Sequence, residues 1–153
     1  MPLDEQLIGI GPAILADAGE ILTVQRAAYV SEAQLYDNPR LSALTETVDD
    51  VRAAIETGAV LVAKLGTRIV GAIRGELVDD ECRVGRLVVA PDLQGRGIGG
   101  ALLTAVENTF PARRFVLYTG GRSAANLRLY ERAGYVRSRV EQSLVYLEKT
   151  VSW

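Results

Sequence analysis

The chain of 153 residues contains no histidine and one cysteine, Cys82. Without histidine, serine–histidine triads and histidine-ligated metals are excluded, so acid–base chemistry must use carboxylates, tyrosines, lysines, Cys82 or water. A lone cysteine excludes an internal disulfide, so nothing implies an oxidising compartment. Cys82 also lacks a histidine to activate it as a nucleophile. We therefore expect no metal and no covalent enzyme intermediate.

Long apolar runs and a strong charge of one sign are also missing. No stretch reaches the roughly 20 apolar residues that cross a bilayer, and no basic-then-apolar leader opens the chain. The formal net charge is −2, with both signs interspersed, which argues against a nucleic-acid footprint. We expect no membrane or nucleic-acid partner and a cytoplasmic location. The length predicts a single domain over residues 1–153.

Apolar periodicity and turn residues predict alternating strands and helices. Strands are expected over 7–10, 60–65, 69–78, 82–89, 115–119, 136–140 and 143–149. Helices are expected over 13–36 (one, or two broken near Gly19), 47–58, 97–109 and 123–133, the last capped by Ser123 and ended by Gly134. These elements predict a fold of the α/β (α+β) class, with a mixed, mostly antiparallel sheet and helices on both faces.

A glycine-rich turn joins the strand that ends Leu87-Val88-Val89 to the following helix. After Pro91 it carries Gly95, Gly97, Gly99 and Gly100. A strand, a glycine turn and a helix in this order bring several backbone N–H groups and the positive end of a helix dipole to one point, which binds phosphate. Glycine allows close approach of the main chain, and Arg96 adds a permanent positive charge.

Two common phosphate-binding loops fit this turn poorly. A nucleotide-triphosphate P-loop ends in Gly-Lys-Ser/Thr, whereas this turn ends in Gly99-Gly100-Ala101. The dinucleotide fingerprint is formally matched by its glycines, but it needs an acidic residue after the next strand. That strand ends in Thr119-Gly120-Gly121, without a carboxylate.

A third pattern fits better. Gln94-Gly95-Arg96-Gly97-Ile98-Gly99, preceded by Leu-Val-Val-Ala-Pro-Asp, resembles the pyrophosphate loop of the GCN5-related N-acetyltransferase (GNAT) superfamily. The block 126–135, which contains Asn126 and Tyr130, resembles a second segment of that superfamily. The two motifs cover about the C-terminal half. The resemblance implies a single-domain GNAT fold with acetyl-coenzyme A as co-substrate and no metal.

The resemblance also implies roles for particular residues. The donor would be held by Leu87, Val88, Val89, Gln94, Gly95, Arg96, Gly97, Ile98, Gly99, Gly100 and Asn126. Tyr130 would be catalytic and would protonate the leaving thiolate, because a phenol with a pKa near ~10 keeps its proton where a thiol near ~8.5 titrates. Asn126 lies four residues earlier, on the same helical face.

The general base and the acceptor site stay open at this point. Some histone-directed members of the superfamily carry a glutamate where this sequence has Arg83, so the base is one of several glutamates or a water chain. The candidate glutamates are Glu32, Glu46, Glu76 and Glu81. Acceptor contacts are expected from the segment 29–39, rich in aromatic and acidic groups. Arg74 and Arg86 could bind an acceptor carboxylate if both face the cleft.

The leading functional hypothesis is an N-acetyltransferase acting on a primary amine of a small molecule. Acetylation of a protein terminus or lysine is one alternative. A non-catalytic acyl-coenzyme A-binding module is another, which a Tyr130→Phe variant would distinguish. A homodimer is compatible with the resemblance, although no sequence feature demands one.

Overall fold

A computed structural model of the chain describes residues 7–151. In this part of the chain, one sheet has the strand order β1-β2-β3-β4-β5-β7-β6. The strands are β1 (Ile8–Pro12), β2 (Val60–Leu65), β3 (Arg68–Val78), β4 (Glu81–Val89), β5 (Arg114–Gly120), β6 (Val136–Glu141) and β7 (Leu144–Thr150). Neighbouring strands are antiparallel except for β4 and β5, which are parallel. The expectation of a mixed, mostly antiparallel sheet is confirmed.

Helices cover both faces of this sheet, as the sequence predicts. They are α1 (Ala18–Leu35), α2 (Ser42–Thr45), α3 (Val48–Glu56), α4 (Ile98–Thr109) and α5 (Ala124–Arg132). The apolar sides of α1 and α3 pack on one face, and α4 and α5 pack on the other, so the sheet lies between two buried clusters. Within residues 7–151, the helices lack the length and apolarity that a membrane crossing requires.

Local sequence signals account for several boundaries. Thr47 caps α3 by accepting a hydrogen bond from Asp50 N, while the Asp50 side chain accepts one from Thr47 N, the reciprocal arrangement that satisfies two free donors at a helix start. The helix ends before Gly58, which has a φ of 76° and so adopts the left-handed conformation that glycine tolerates. The predicted three-strand meander β2–β3–β4 is present with antiparallel pairing throughout.

Three local details are decided by the structure. Of the two arrangements expected for 13–36, the single helix is present as α1, because Gly19 falls in the first turn, where the N–H groups need no helical partner. The short helix α2 was not predicted, since four residues are too few for a periodic pattern. Ser123 precedes α5, but its hydroxyl does not cap the helix; it binds Tyr36 and Glu32 instead.

A partly buried ion pair anchors the end of α5 to the sheet. Lys149 Nζ on β7 donates to Glu107 Oε1 of α4 at 2.7 Å and to the Ala133 carbonyl at 2.8 Å. The Tyr135 hydroxyl donates to the other oxygen of Glu107 at 3.0 Å. The Glu107 side chain is only 11% exposed, so its charge depends on these partners. One lysine therefore ties together α4, the C-terminus of α5 and β7.

Replacing Lys149 by methionine should lower the free energy of unfolding by about 2 kcal/mol, because it leaves the buried Glu107 carboxylate with one donor. Urea denaturation measures this change. The control is Arg137→Met, which breaks an ion pair to Glu131 whose two side chains are about half exposed. That variant should lose less than about 1 kcal/mol. Equal losses in the two variants would contradict the anchoring role.

Candidate active site

The sheet opens between β4 and β5. The parallel ladder between them covers the pairs Glu81–Arg114, Cys82–Phe115 and Arg83–Val116. Beyond these pairs β4 continues against β3 to Val89, while β5 continues against β7 to Gly120. The second halves of β4 and β5 therefore border a gap in the described sheet, with main-chain groups along its sides.

A bulge in β4 accompanies the opening. Arg74 is opposite Gly85 and Ala72 is opposite Val88, so two residues of β4 face one residue of β3 at this point. Arg86, one of those two, has a φ of 51°, an uncommon conformation for a residue with a side chain. Bulges bend a strand and redirect its side chains. The bulge thus separates the part of β4 that pairs with β5 from Leu87–Val89.

The main chain of Val89 is directed into the gap. Ala90 N donates to Val70 O, and Val89 is opposite Gly71 in the same register. Antiparallel ladders alternate, so the N–H and C=O of Val89 point away from β3. The Gln94 side chain donates to that carbonyl at 3.4 Å. Val88 packs in the cluster under α1, and Leu87 and Val89 contact the opposite cluster.

The glycine loop lies at the end of β4, directly after Val89. Gly95 and Gly97 have φ angles of 78° and 85°, and Gly97 is the N-cap of α4. Residues Gln94 to Gly97 are exposed, whereas the Ile98 side chain is buried and fixes the start of the helix. The first helical bond is from Ala101 N to Gly97 O, so the N–H groups of residues 98–100 precede the helical ladder and face the loop.

Helix α5 packs against this helix start and carries Asn126 and Tyr130. A Cβ at Gly99 would lie 3.1 Å from the Leu129 side chain, so the small residue permits the close approach of the two helices. Tyr130 is 8% exposed. Burial raises the pKa of its phenol, and the nearby Tyr29 and Glu32 raise it further. The phenol therefore keeps its proton at neutral pH.

Glu32 of α1 meets α5 although the two helices belong to opposite faces of the sheet. Its carboxylate accepts from Ser123 Oγ at 2.7 Å and from Asn126 Nδ2 at 3.4 Å. The Tyr36 hydroxyl lies 2.7 Å from Ser123 Oγ and accepts from Arg122 N at 3.1 Å. These contacts form where β5 ends, so the residues from both faces meet at the open end of the gap.

Gly120 makes room for this network. An added Cβ there would lie 1.9 Å from the Tyr36 hydroxyl oxygen, a distance no structure accommodates without displacing the ring. Tyr36 and Glu32 are among the residues expected from the sequence to contact the acceptor or to act as the base, but no local pattern connects them to Ser123 or Gly120. The pair Gly120-Gly121 directly after a strand is the one sequence signal of a close approach there.

A second carboxylate, Glu46, lies beside the bulge between two arginines. Arg74 binds it with both terminal nitrogens, at 2.5 and 3.1 Å, and Arg86 reaches it at 3.3 Å. Gln25 donates at 3.0 Å. Burial opposes the ionisation of Glu46, but the hydrogen bonds from Arg74 and Gln25 and the charges of both arginines lower its pKa to about 2. Arg74 and Arg86 thus meet at one carboxylate.

The remaining candidates lie away from the open end of the gap. Glu81 binds Arg114 and Arg83 at the paired end of β4, and the hydrogen bond from Arg114 lowers its pKa. Glu76 is exposed beside Arg83 in the same hairpin. Cys82 is buried in the core, and burial raises the pKa of its thiol to about 11. A thiol with that pKa is a poor nucleophile at neutral pH.

The low pKa of Glu46 predicts a specific acid sensitivity. A depressed carboxylate pKa stabilises the folded state fully above the usual value of 4.5, and this contribution is lost as pH falls toward about 2. Urea denaturation should therefore show that Glu46→Gln lowers stability at pH 7. The variant should also lose less stability than the wild type as pH falls from 4.5 to about 2. Glu131→Gln removes an exposed partner of Arg137 and should keep the wild-type pH dependence. A wild-type slope in Glu46→Gln would contradict the assigned pKa.

Comparisons with known proteins agree with this geometry. The family model described as an acetyltransferase (GNAT) domain matches residues 56–137. The UPF0157 protein YqkA of Bacillus subtilis (strain 168) is 31% identical over 122 residues, which are 79% of this chain and 35% of that protein. The chain therefore spans about a third of the length of this curated relative.

Solved structures share the fold at low sequence identity. The PaiA N-acetyltransferase of Thermoplasma acidophilum, solved in complex with coenzyme A, is 16% identical with a TM-score of 0.83, covering 94% of this chain and 99% of its own. YncA of Salmonella typhimurium, solved with acetyl-CoA, is 18% identical with a TM-score of 0.74, covering 95% of both chains. Because the family model covers just over half of the residues, the chain belongs to the GNAT acetyltransferase domain family.

Proposed function

We propose that this chain is a single N-acetyltransferase domain that transfers an acetyl group from acetyl-coenzyme A to a primary amine of a small molecule. The observation that carries the proposal is the gap between β4 and β5. It has the glycine loop at the end of one bordering strand and, at its open end, a buried phenol close to a carboxylate. The family membership and the coenzyme A bound to the Thermoplasma acidophilum relative support the same donor.

The residues along the gap fit an acyl-coenzyme A donor. The N–H groups at the start of α4 and the left-handed glycines form an exposed concave main chain that suits a diphosphate, next to Arg96. The free side of β4 suits an amide-containing arm, which would bind as an added strand along Leu87, Val88 and Val89. Val89 N–H is a fixed donor that can polarise a thioester carbonyl in the gap.

Tyr130 is the proposed acid for the leaving sulfur. When the amine nitrogen bonds to the thioester carbon, the carbon–sulfur bond breaks and its electron pair stays on sulfur. The phenol of Tyr130 then donates its proton to the thiolate, and it is restored by the proton that the amine loses. Burial raises the phenol pKa, so the hydroxyl is protonated at neutral pH and can donate to the sulfur as negative charge develops there. Asn126 would hold the donor arm beside it.

Glu32 is the proposed base, directly or through one water. Glu46 and Glu81 are each held by arginines that stabilise the ionised form and lower the pKa, so they are weak proton acceptors. Glu32 instead accepts from neutral groups, Ser123 and Asn126, near Tyr29 and Tyr130. The acceptor would therefore enter between α1 and the end of β5, with its nitrogen toward Glu32.

Tyr130→Phe tests the catalytic assignment. Wild-type protein with acetyl-coenzyme A and a panel of primary amines should release free thiol, measured with a thiol-reactive dye. Tyr130→Phe should lower kcat on the order of 100-fold, since a positioned acid contributes about that much. Coenzyme A affinity by calorimetry should stay within about twofold, because the phenylalanine ring keeps the packing.

Tyr135→Phe is the matched control. Its buried phenol is removed in the same way, but it donates to Glu107 in the anchor at the end of α5, so turnover should stay near wild type. A Tyr130→Phe variant with wild-type turnover would contradict the proposed acid. Coenzyme A binding without thiol release from any amine or peptide would favour a binding module over an enzyme.

Gly95→Ala tests the donor loop against a control with the same backbone strain. Gly95 and Gly66 both have positive φ angles, 78° and 63°, and an added Cβ meets nothing within 4 Å at either position. Gly66 lies in the turn between β2 and β3. We expect Gly95→Ala to weaken coenzyme A binding at least about tenfold, because its methyl group occupies the loop that approaches the diphosphate. Gly66→Ala should bind as wild type, and equal affinities would overturn the loop assignment.

A further inference from the structure

Arg86 carries a positive charge that the folded chain compensates only weakly. Glu46 is shared unequally, because Arg74 holds both of its oxygens at 2.5 and 3.1 Å while Arg86 reaches one of them at 3.3 Å. Arg86 also donates to two neutral hydroxyl groups, those of Ser42, at 3.2 Å, and of Tyr29. Two guanidinium groups around one carboxylate leave a net charge of one, and the shorter contacts assign most of the neutralisation to Arg74.

The Arg86 side chain also has an unused donor. Its Nε is buried and has no hydrogen-bond partner among residues 7–151. Buried donors in native proteins are almost always satisfied, so a donor without a partner calls for an explanation such as a missing ligand. The guanidinium presents its donors as a planar fork, which matches the geometry of a carboxylate.

The position of Arg86 separates this charge from the donor phosphates. Arg86 lies in the bulge of β4, three residues before Val89. The glycine loop begins beyond Val89. The guanidinium contacts Ser42 of α2 and lies near Tyr29 of α1, on the face opposite α4. An anion at Arg86 is therefore a different group from the diphosphate proposed at the loop.

Positive and negative groups are arranged along one side of α1. Tyr29 lies near Arg86, and Glu32 follows it by three residues, close to one helical turn. Glu32 also lies near Tyr130 and binds Asn126. A small molecule bound along this side of α1 would meet a guanidinium at one end and a carboxylate at the other, with Tyr29 between them.

We infer that the acceptor is an amino acid or a close amino-carboxylate analogue, with its carboxylate on Arg86 and its amine toward Glu32 and the thioester. The inference rests on the proposed acetyltransferase function and names its substrate class. A polyamine fits poorly, because a second ammonium would lie against Arg86. A lysine side chain within a protein brings no free carboxylate to Arg86.

The test compares acceptors that differ only in the carboxylate. Wild-type protein is assayed by thiol release with a panel of L-amino acids, the matching carboxamides and the matching decarboxylated amines. We expect kcat/KM for the best amino acid to exceed that of its two analogues on the order of 100-fold. In Arg86→Gln this preference should disappear, because kcat/KM falls for the amino acid while kcat/KM for the carboxamide changes by less than about threefold.

Arg83→Gln is the matched control. It removes an arginine from the same strand, but that side chain is 58% exposed and pairs with Glu81 at the closed end of the gap. It should keep the wild-type preference. Melting temperatures of all variants establish folding. If Arg86→Gln does not fold, the inference is tested with two other measurements. One is the wild-type acceptor series, and the other is Arg86→Lys, which keeps the charge but loses the planar guanidinium.

The outcomes separate this inference from the proposed function. Thiol release with amines or carboxamides at rates equal to those of the amino acids would overturn the acceptor class and leave the acetyltransferase function intact. Faster reaction with peptides than with free amino acids would also overturn it. Failure to bind coenzyme A would instead remove the proposed function itself. Preference for amino acids, lost in Arg86→Gln and kept in Arg83→Gln, supports the inference.

Discussion

The early end of the ladder between β4 and β5 is the constraint on which the site depends. β5 pairs with β7 along all of its residues, Arg114 to Gly120, so β5 follows β7. β4 follows β3 and carries an extra residue at Arg86, which bends it away. The strands part after Arg83 and Val116. Among residues 7–151, main-chain groups along the gap then lack a strand partner, and this unpaired edge is the basis of the proposed donor site.

Periodicity and turn chemistry predict most of the fold because they are local. The strand over 60–65 and the capping of α3 by Thr47 follow directly from neighbouring residues. The glycine loop is likewise encoded within one short stretch. The positive φ of Arg86 and the bulge have no local signal, since arginine has no preference for that conformation. They follow from the register of β3 against β4, which depends on the whole sheet.

The misassigned role of Ser123 shows the same limit at the site. A serine before a helix favours a side-chain cap, and the sequence supports that prediction. In the folded chain, a carboxylate and a phenol from α1 lie within 2.7 Å of its hydroxyl. These partners are about ninety residues away in sequence. The hydroxyl donates its proton to the Glu32 carboxylate, a strong charge-assisted bond, and accepts no hydrogen bond from a backbone N–H of α5. Long-range contacts thus decide what short polar side chains at a helix start do, and single-sequence patterns do not contain them.

The packing of α5 and the chemistry proposed for it have one cause. Tyr130 belongs to the core cluster that holds α5 on the sheet, and burial also raises the pKa of its phenol. A more exposed tyrosine would hold α5 less firmly and would have a phenol closer to its usual acidity. Lys149 holds the C-terminal end of α5, three residues beyond Tyr130, through the Ala133 carbonyl. Burial of the Tyr130 ring therefore accounts both for the packing of α5 and for the raised phenol pKa on which its proposed role depends.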